Sequence, residues 1–323
     1  MLKALVFLVT TGFCWVAVGA VVGLIGRRGL NLLYYQIICS ALSLVISLVI
    51  GLCSPSQLIP PEGISASTWF WVVAGSLANG VFNYLMIQFM GLAMKKGPNA
   101  VVWATIQSGL IYPFFMGWLV FHEKMSTCRI VGIVLIVASV ILYAARGKAD
   151  KAASTLRLGP SPSPSPPPVI AWLVPSLLGM LCCGINQCGG NLPSYLERGQ
   201  DFPSIFRTLL LNVGGLLGCL GGILWGGFRG RWPARPRKGE LLRLTIYCVS
   251  VMSVSYTSNI LFMFPGLDAL KNLGRGPLGY PIMVCSCIIG FFPYGLFVLR
   301  EKINPIQAIG AAVGVAGIIL GCL

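Results

Sequence analysis

The sequence predicts an all-α polytopic membrane protein with ten transmembrane helices, arranged as two inverted five-helix repeats. Hydrophobic residues make up 56% of the 323 residues and charged residues 10%, with a mean hydropathy of +0.84. A soluble domain carries about 25% charged residues. Apolar runs of about 20 residues, each able to cross a hydrocarbon layer of ~30 Å, recur along nearly the whole chain. In addition, the chain repeats a pattern of residues at a spacing of 178 positions.

The predicted helices divide into two groups of five. The first group lies at 2–25, 30–53, 67–90, 100–121 and 130–145. The second group lies at 169–193, 204–225, 241–264, 278–299 and 306–323. The segment between them alternates proline with serine, which favours extended polyproline II over helix. We therefore expect a first repeat at 1–145, a surface linker at 146–168 and a second repeat at 169–323.

The repeated pattern ends the fourth helix of each half in a charged turn. Glu123 and Lys124 form this turn in the first half, and Glu301 and Lys302 form it in the second. Because five crossings is an odd number, the second half enters the membrane from the opposite face, which predicts an inverted repeat around a site near the bilayer midplane. The other matched pairs are Ser108 and Ser286, Phe114 and Phe292, Gly117 and Gly295, Val120 and Val298, and Gly132 and Gly310.

Positive charge sets the predicted orientation. The loops after the odd-numbered helices hold 16 of the 23 lysines and arginines. The positive-inside rule places these loops in the cytoplasm and both termini outside it, in a multi-pass protein of the cell (inner) membrane. Cytoplasmic loops that face anionic membrane lipid then account for the formal net charge of +15, and we expect no nucleic-acid partner.

The composition argues against an enzyme and against a bound cofactor. Most of the 12 cysteines lie inside apolar runs, where a free thiol acts as a small apolar group, and the chain has a single histidine. No catalytic triad, phosphate-binding loop or metal-site spacing is present in the sequence. A membrane-embedded enzyme acting on lipid or isoprenoid would show clustered acids or histidines near one interface. We therefore predict no enzyme activity, no cofactor and no metal, while a receptor or scaffold stays open.

Polar side chains inside the predicted helices mark a candidate substrate site. An unpaired amide in hydrocarbon is costly, so these groups should face one another, water or a solute, and interhelical bonds and solute contact are equally open. Amides offer the donors and acceptors that sugar hydroxyls require, and aromatic rings can stack on a sugar's apolar face. The candidate substrate-binding residues are Asn79, Asn83, Tyr84, Trp103, Gln107, Asn186, Gln187 and Asn259.

Three acidic residues are candidates for coupling transport to an ion. No charged residue lies deep in a predicted helix, which argues against a strongly anionic substrate and a fixed organic cation. Asp268 follows Pro265, which predicts a kink or an end of its helix. Glu123 and Glu301 occupy equivalent places in the two halves, each beside a lysine. An ion pair that fixes a tight turn is the alternative role for these two glutamates.

Glycines at a spacing of four residues predict bare helix faces. Gly214, Gly218 and Gly222 form such a series. A face without side chains lets another helix pack closely, either within the bundle or in a second copy of the chain. Both a monomer and a homodimer are therefore open.

The arrangement of the repeat resembles the EamA-type repeats of the drug/metabolite transporter superfamily. In both, each half has five helices, and its fourth helix ends in Glu-Lys and is followed by a glycine-bearing helix. The segments that carry the resemblance are His122-Glu123-Lys124 with Gly132, and Arg300-Glu301-Lys302 with Gly310.

Within that superfamily, the basic first loop and basic linker are similar to the bacterial rhamnose and glucose uptake branch. The stretch from Gly75 through Asn83 and Tyr84 to Met94 also resembles the third helix of the rhamnose carriers of that branch. The resemblance implies uptake of a sugar with transfer of a proton.

These features together predict a secondary active transporter that works by alternating access. We expect a small-molecule substrate, a small polar organic solute such as a sugar or related metabolite, with H⁺ or Na⁺ as the coupling ion. The alternative is an EamA-type exporter of amino acids or drug-like metabolites.

Overall fold

The computed structural model describes residues 1–60, 62–122, 126–144, 168–230, 233–273, 278–301 and 303–321. Regular secondary structure in these residues is helical, and no strand occurs among them. Nearly all of the predicted linker at 146–168 lies outside the described residues, as do Glu123, Lys124 and Lys302 of the charged turns. The prediction of an all-α protein is confirmed for the described part of the chain.

Eight long apolar helices and two shorter ones make up the described fold. All but α5 and α10 are long and apolar enough to cross a membrane, which is compatible with a multi-pass membrane protein. In chain order the helices are α1 (Leu2–Arg27), α2 (Leu32–Cys53), α3 (Ala66–Met94), α4 (Asn99–Leu119), α5 (Thr127–Ala144), α6 (Ile170–Asn191), α7 (Ser204–Phe228), α8 (Lys238–Leu270), α9 (Gly279–Val298) and α10 (Pro305–Gly321).

Side-chain caps and a glycine set the boundaries of the first helices. The Asn31 side chain accepts a hydrogen bond of 3.0 Å from the backbone N–H of Leu33 at the start of α2. Ser65 Oγ accepts one of 3.1 Å from the N–H of Thr68 at the start of α3. Both bonds satisfy donors that a helix leaves open at its N-terminus. Gly29 has φ +64°, a left-handed conformation that glycine adopts readily, so the chain reverses between α1 and α2.

Two π-helical turns widen α8, at Met252–Tyr256 and Asn259–Met263. The second lies just before Pro265. A proline ring inside a regular α-helix collides with the carbonyl four residues earlier, and a wider turn relieves that crowding. Pro265 therefore does not end the helix, which continues to Leu270, and the predicted end at residue 264 is wrong.

The central helix of the bundle is α4. Every residue from Asn99 to Ile111 is buried, and Trp103 joins a core that extends to Phe291 of α9. A helix that is apolar on all sides is expected in the interior of its protein. Around it, α3 packs against α6 and α7, α1 against α8 and α9, α2 against α7 and α8, and α5 against α10.

Glycines allow several of these helix pairs to approach closely. A methyl group on Gly80 of α3 would collide with the carbonyl oxygen of Leu211 in α7, and one on Gly214 of α7 would collide with α3. The same arrangement joins α5 to α10 at Gly132 and Gly317. Small residues at a crossing let the two backbones touch. The glycine face of α7 is thus used for packing inside the bundle.

Replacing Gly80 by alanine is expected to lower stability, because the new methyl group has no room at the crossing of α3 and α7. Overpacked sites typically lose about 1–3 kcal/mol. Gly221→Ala is the matched control, since no atom lies within 4 Å of its added Cβ. Alanine there should be neutral or should stabilise by up to about 1 kcal/mol. Thermal unfolding of the purified protein in detergent measures both, and equal losses would contradict the close crossing.

Candidate functional site

The helices enclose a cavity in the middle of the bundle, which we call the central cavity. Its volume is about 200 Å³. Helices α1 to α4 and α6 to α9 supply its wall, whereas the paired helices α5 and α10 do not. None of the described residues that line it carries a formal charge. In a wall that is mostly apolar, a small number of polar groups decide which solute fits.

Seven of the eight predicted substrate-binding residues line the central cavity. They come from four helices, two in each half of the chain, that all border the cavity. Whether they contact a substrate stays a prediction, but the fold brings their polar groups to one place. They are Asn79 and Asn83 of α3, Trp103 and Gln107 of α4, Asn186 and Gln187 of α6, and Asn259 of α8.

Tyr84 is not among the residues of the cavity wall. Its ring lies against α7, where a methyl group on Gly218 or Gly222 would collide with it. Consecutive residues of a helix point in directions about 100° apart, so Asn83 and Tyr84 do not face the same surface. Tyr84 therefore fills the bare face of α7.

Hydrogen bonds between helices hold two of the amides in place. Trp15 Nε1 of α1 donates to Asn259 Oδ1 of α8 at 2.9 Å. Asn186 Nδ2 of α6 donates to the backbone oxygen of Asn79 in α3 at 3.4 Å. The interhelical bonds foreseen for these amides are therefore present, and each amide also borders the cavity, while contact with a solute stays a prediction.

A chain of three side chains crosses from α6 to α4. Gln187 Nε2 donates to Cys183 Sγ at 3.2 Å, and Cys183 Sγ donates to Gln107 Oε1 at 3.7 Å. Gln187 Oε1 is buried and has no hydrogen-bond partner among the described residues. This oxygen belongs to a residue that lines the central cavity.

An aromatic pair includes one residue of the cavity wall, Trp103, and its stacking partner Phe291. The rings of Trp103 and Phe291 stack with their centroids 5.1 Å apart and an interplanar angle of 18°. Gly19 of α1 makes room for them, since a methyl group there would approach both rings. The indole of Trp103 is thereby held as a rigid apolar surface beside the amides.

Several lining residues were not among the predicted ones. Gln36 of α2 and Asn212 of α7 are buried amides in apolar helices, so the rule that selected the others applies to them as well. Trp15 and Tyr280 line the cavity from α1 and α9. An aromatic residue in an apolar helix is a weaker indication of a binding site than an amide, because aromatic residues also occur in a core or facing lipid.

Asp268, a predicted coupling residue, is paired with a buried arginine. Its carboxylate accepts a hydrogen bond of 3.0 Å from Arg207 of α7. The Arg207 side chain is only 7% exposed and its guanidinium lies 4.6 Å from the centre of the Phe264 ring. Thr208 and Phe264 line the central cavity, so the ion pair lies beside it. The sequence does not predict a buried guanidinium at the start of α7.

Glu301, the second coupling candidate, caps the central helix. Its carboxylate accepts hydrogen bonds of 2.9 and 3.0 Å from the backbone N–H groups of Asn99 and Ala100 at the start of α4, and one of 2.9 Å from Arg27 of α1. A carboxylate at a helix N-terminus is stabilising. Glu301 therefore ties the turn after α9 to two helices of the first half and does not line the cavity. Glu123, its counterpart, lies outside the described residues.

Comparison with known proteins identifies the fold and no family. The chain matches no protein-family model and no curated protein. It resembles a solved structure described only as "Crystal structure of protein", with a TM-score of 0.54 and 16% sequence identity over 98% of this chain and 95% of the other. At that identity the likeness establishes a shared fold.

Replacing Glu301 by alanine is expected to destabilise the protein by about 1–2 kcal/mol, because two backbone donors of α4 lose their acceptor. Arg27→Ala is the matched control, since it removes only the ion pair. Its side chain is 42% exposed, and an exposed pair contributes less than about 1 kcal/mol. Thermal unfolding in detergent compares the two variants. A larger loss in Arg27→Ala than in Glu301→Ala would show that the cap is unimportant.

Proposed function

We propose that this protein is a secondary active transporter that moves a small polar organic solute, a sugar or related metabolite, by alternating access. The observation that carries the proposal is the convergence of amide and indole side chains from α3, α4, α6 and α8 on one uncharged cavity. Membrane carriers hold their substrate near the middle of the bilayer, at the interface of their repeats.

The chemistry of the wall favours a neutral solute. Amides donate and accept hydrogen bonds, as hydroxyl groups do. A charged solute entering an apolar bundle would lose its hydration and would need a counter-charge. The described lining residues offer none, which supports a sugar over an organic ion.

We further propose ten membrane crossings arranged as two inverted repeats, with α5 and α10 completing the halves. Helix contacts support this arrangement because they occur in matched pairs: α1 with α9 mirrors α6 with α4, and α3 with α6 mirrors α8 with α1. The contact of α3 with α7 mirrors that of α8 with α2 in the same way. His122 and Arg300, which occupy equivalent positions before the charged turns, have φ values of 53° and 52°.

Under this arrangement, the two halves would rock about the central cavity. Arg27 and Glu301 join the halves just beyond the end of α9. The Arg207–Asp268 pair lies beside Phe264, which belongs to the same apolar cluster as Tyr280 near the start of α9. The Arg27–Glu301 pair joins the two halves and can break and re-form as access alternates, whereas Arg207 and Asp268 both belong to the second half. Coupling to H⁺ or Na⁺ at Asp268 belongs to the same proposal. The resemblance to the rhamnose and glucose uptake branch of the drug/metabolite transporter superfamily implies transfer of a proton.

A second candidate function is export of amino acids, and one observation favours it. The buried guanidinium of Arg207 lies beside the cavity, where it offers a partner for a substrate carboxylate. Export and uptake are distinguished by the direction of transport in inside-out and right-side-out vesicles loaded with labelled sugars or amino acids.

Asn83→Ala and Asn186→Ala are each expected to reduce sugar uptake by about fivefold, since loss of one hydrogen bond to substrate corresponds to roughly 1 kcal/mol. Uptake of labelled D-glucose and L-rhamnose into proteoliposomes measures this effect. Ser250→Ala serves as the control because Ser250 is exposed and bonds to the backbone of its own helix. Unchanged uptake and binding in folded protein carrying both asparagine variants would end the assignment of these residues.

Both termini are expected outside the cytoplasm. Alkaline phosphatase fused to either terminus should be active, whereas green fluorescent protein fused there should stay dark. The physical reason is the excess of lysine and arginine, 16 of 23, in loops that the positive-inside rule keeps in the cytoplasm. A fusion in the loop between α1 and α2 is the control with the opposite expected result. Fluorescent terminal fusions would reverse the proposed orientation.

A further inference from the structure

Two amides of the central cavity each have one end engaged by a neighbouring side chain. We propose that the donor or acceptor at the other end of each amide selects the substrate. The inference rests on the proposed transport function. Gln187 presents an acceptor and Asn259 presents a donor, so the cavity takes a neutral solute that offers both, such as a polyol or a sugar ring. A carboxylate offers no donor, and an ammonium group offers no acceptor.

The acceptor on Gln187 is unused by the protein. Its amide nitrogen donates to Cys183 Sγ, and the proton of that thiol is directed to Gln107. One of the two N–H groups of the amide is therefore engaged, and the oxygen end has no partner among the described residues. Gln187 is only 2% exposed, and its Oε1 has no hydrogen-bond partner within the described part of the chain.

A buried carbonyl without a partner is destabilising, and native proteins contain few of them. An apolar side chain at position 187 would carry no such penalty. Gln187 borders the central cavity although its oxygen is buried. A solute that reaches this oxygen on binding and donates a proton to it would remove the penalty. Part of the affinity for a hydroxyl donor then comes from the unpaired oxygen of Gln187 in the ligand-free protein.

The donor on Asn259 is set by an indole. Trp15 Nε1 can only donate, so the atom of Asn259 that it meets at 2.9 Å is the amide oxygen. The amide nitrogen of Asn259 is left for an acceptor. Asn259 and Trp15 both line the central cavity, so this nitrogen is available to a solute.

A residue from the other half of the chain holds Asn259 directly and Gln187 through the Cys183 thiol. Trp15 belongs to α1 and orients Asn259 of α8, while Gln107 belongs to α4 and accepts from the thiol that engages Gln187 of α6. Movement of one half against the other would therefore change the donor and acceptor pattern that the solute meets.

Gln187→Met tests the inference, because methionine keeps the length of the side chain and removes the strong acceptor. The ligand-free variant is expected to melt at the same temperature as the wild type or higher, since an unpaired buried oxygen has been removed. Its affinity for D-glucose or L-rhamnose is expected to fall at least tenfold. A purely structural glutamine would instead give a lower melting temperature and unchanged affinity, which would overturn the inference.

Gln36→Met is the matched control for stability. Both polar ends of the Gln36 amide are bonded, since its nitrogen donates to the backbone oxygen of Tyr84 and its oxygen accepts from Gln88. Methionine at position 36 should therefore lower the melting temperature. Trp15→Phe is a second test variant that keeps a ring and removes the donor to Asn259. This variant should lower the ratio of the affinity for neutral sugars to the affinity for charged analogues. An unchanged ratio would count against the role of Asn259.

Binding of D-glucose, L-rhamnose, D-glucuronate and D-glucosamine to the full-length protein, followed by thermal shift and calorimetry, separates the two levels of the proposal. A preference of at least tenfold for a neutral sugar over both charged analogues, together with the lower affinity of Gln187→Met, supports the inference. Transport of a neutral sugar with no such preference, or with full affinity in Gln187→Met, overturns the inference and leaves the transport function standing. Binding of none of the sugars together with transport of amino acids overturns both.

Discussion

A carboxamide that faces hydrocarbon has no water to replace its hydrogen bonds, and in a multi-pass protein this constraint governs how the helices are arranged. Amides on α3, α4, α6 and α8 turn toward one cavity. Where they reach another helix they bond to it, as Asn259 does to Trp15 and Asn186 to the backbone of Asn79. A polar group without a hydrogen bond in apolar surroundings is destabilising. The same penalty therefore favours inward-facing amides and the helix contacts in which they bond.

Helices around the cavity cross with little side chain between them. Gly80 and Gly214 bring α3 and α7 into backbone contact, and Gly19 leaves space for the stacked rings of Trp103 and Phe291. Close packing at the crossings concentrates the remaining space in the centre of the bundle, where the amides lie. The central helix α4 is held at its N-terminus by a carboxylate from the other half of the chain. The position of α4 therefore depends on how the two halves pack against each other.

Charge is kept at the margins of this arrangement. The described wall of the central cavity is uncharged, while ion pairs flank it near the start and beyond the end of α9. An apolar bundle tolerates a buried charge only when a partner of opposite sign is close, and Arg207 meets this requirement through Asp268. The charged side chains thus lie outside the wall of an uncharged cavity.

Composition and periodicity alone determined that this chain is helical and rich in membrane-length segments, because about 20 apolar residues in a row leave few other structures open. The amides were equally visible in the sequence, and seven of the eight selected residues reached one cavity. The tertiary structure alone decided that Tyr84 packs against glycines while its neighbour Asn83 faces the cavity, because the rotation of a helix about its axis depends on its partners. It also decided that Glu301 caps α4, since a residue 202 positions along the chain supplies that acceptor. Such contacts join segments with no local relation, and neither propensity nor spacing can encode them.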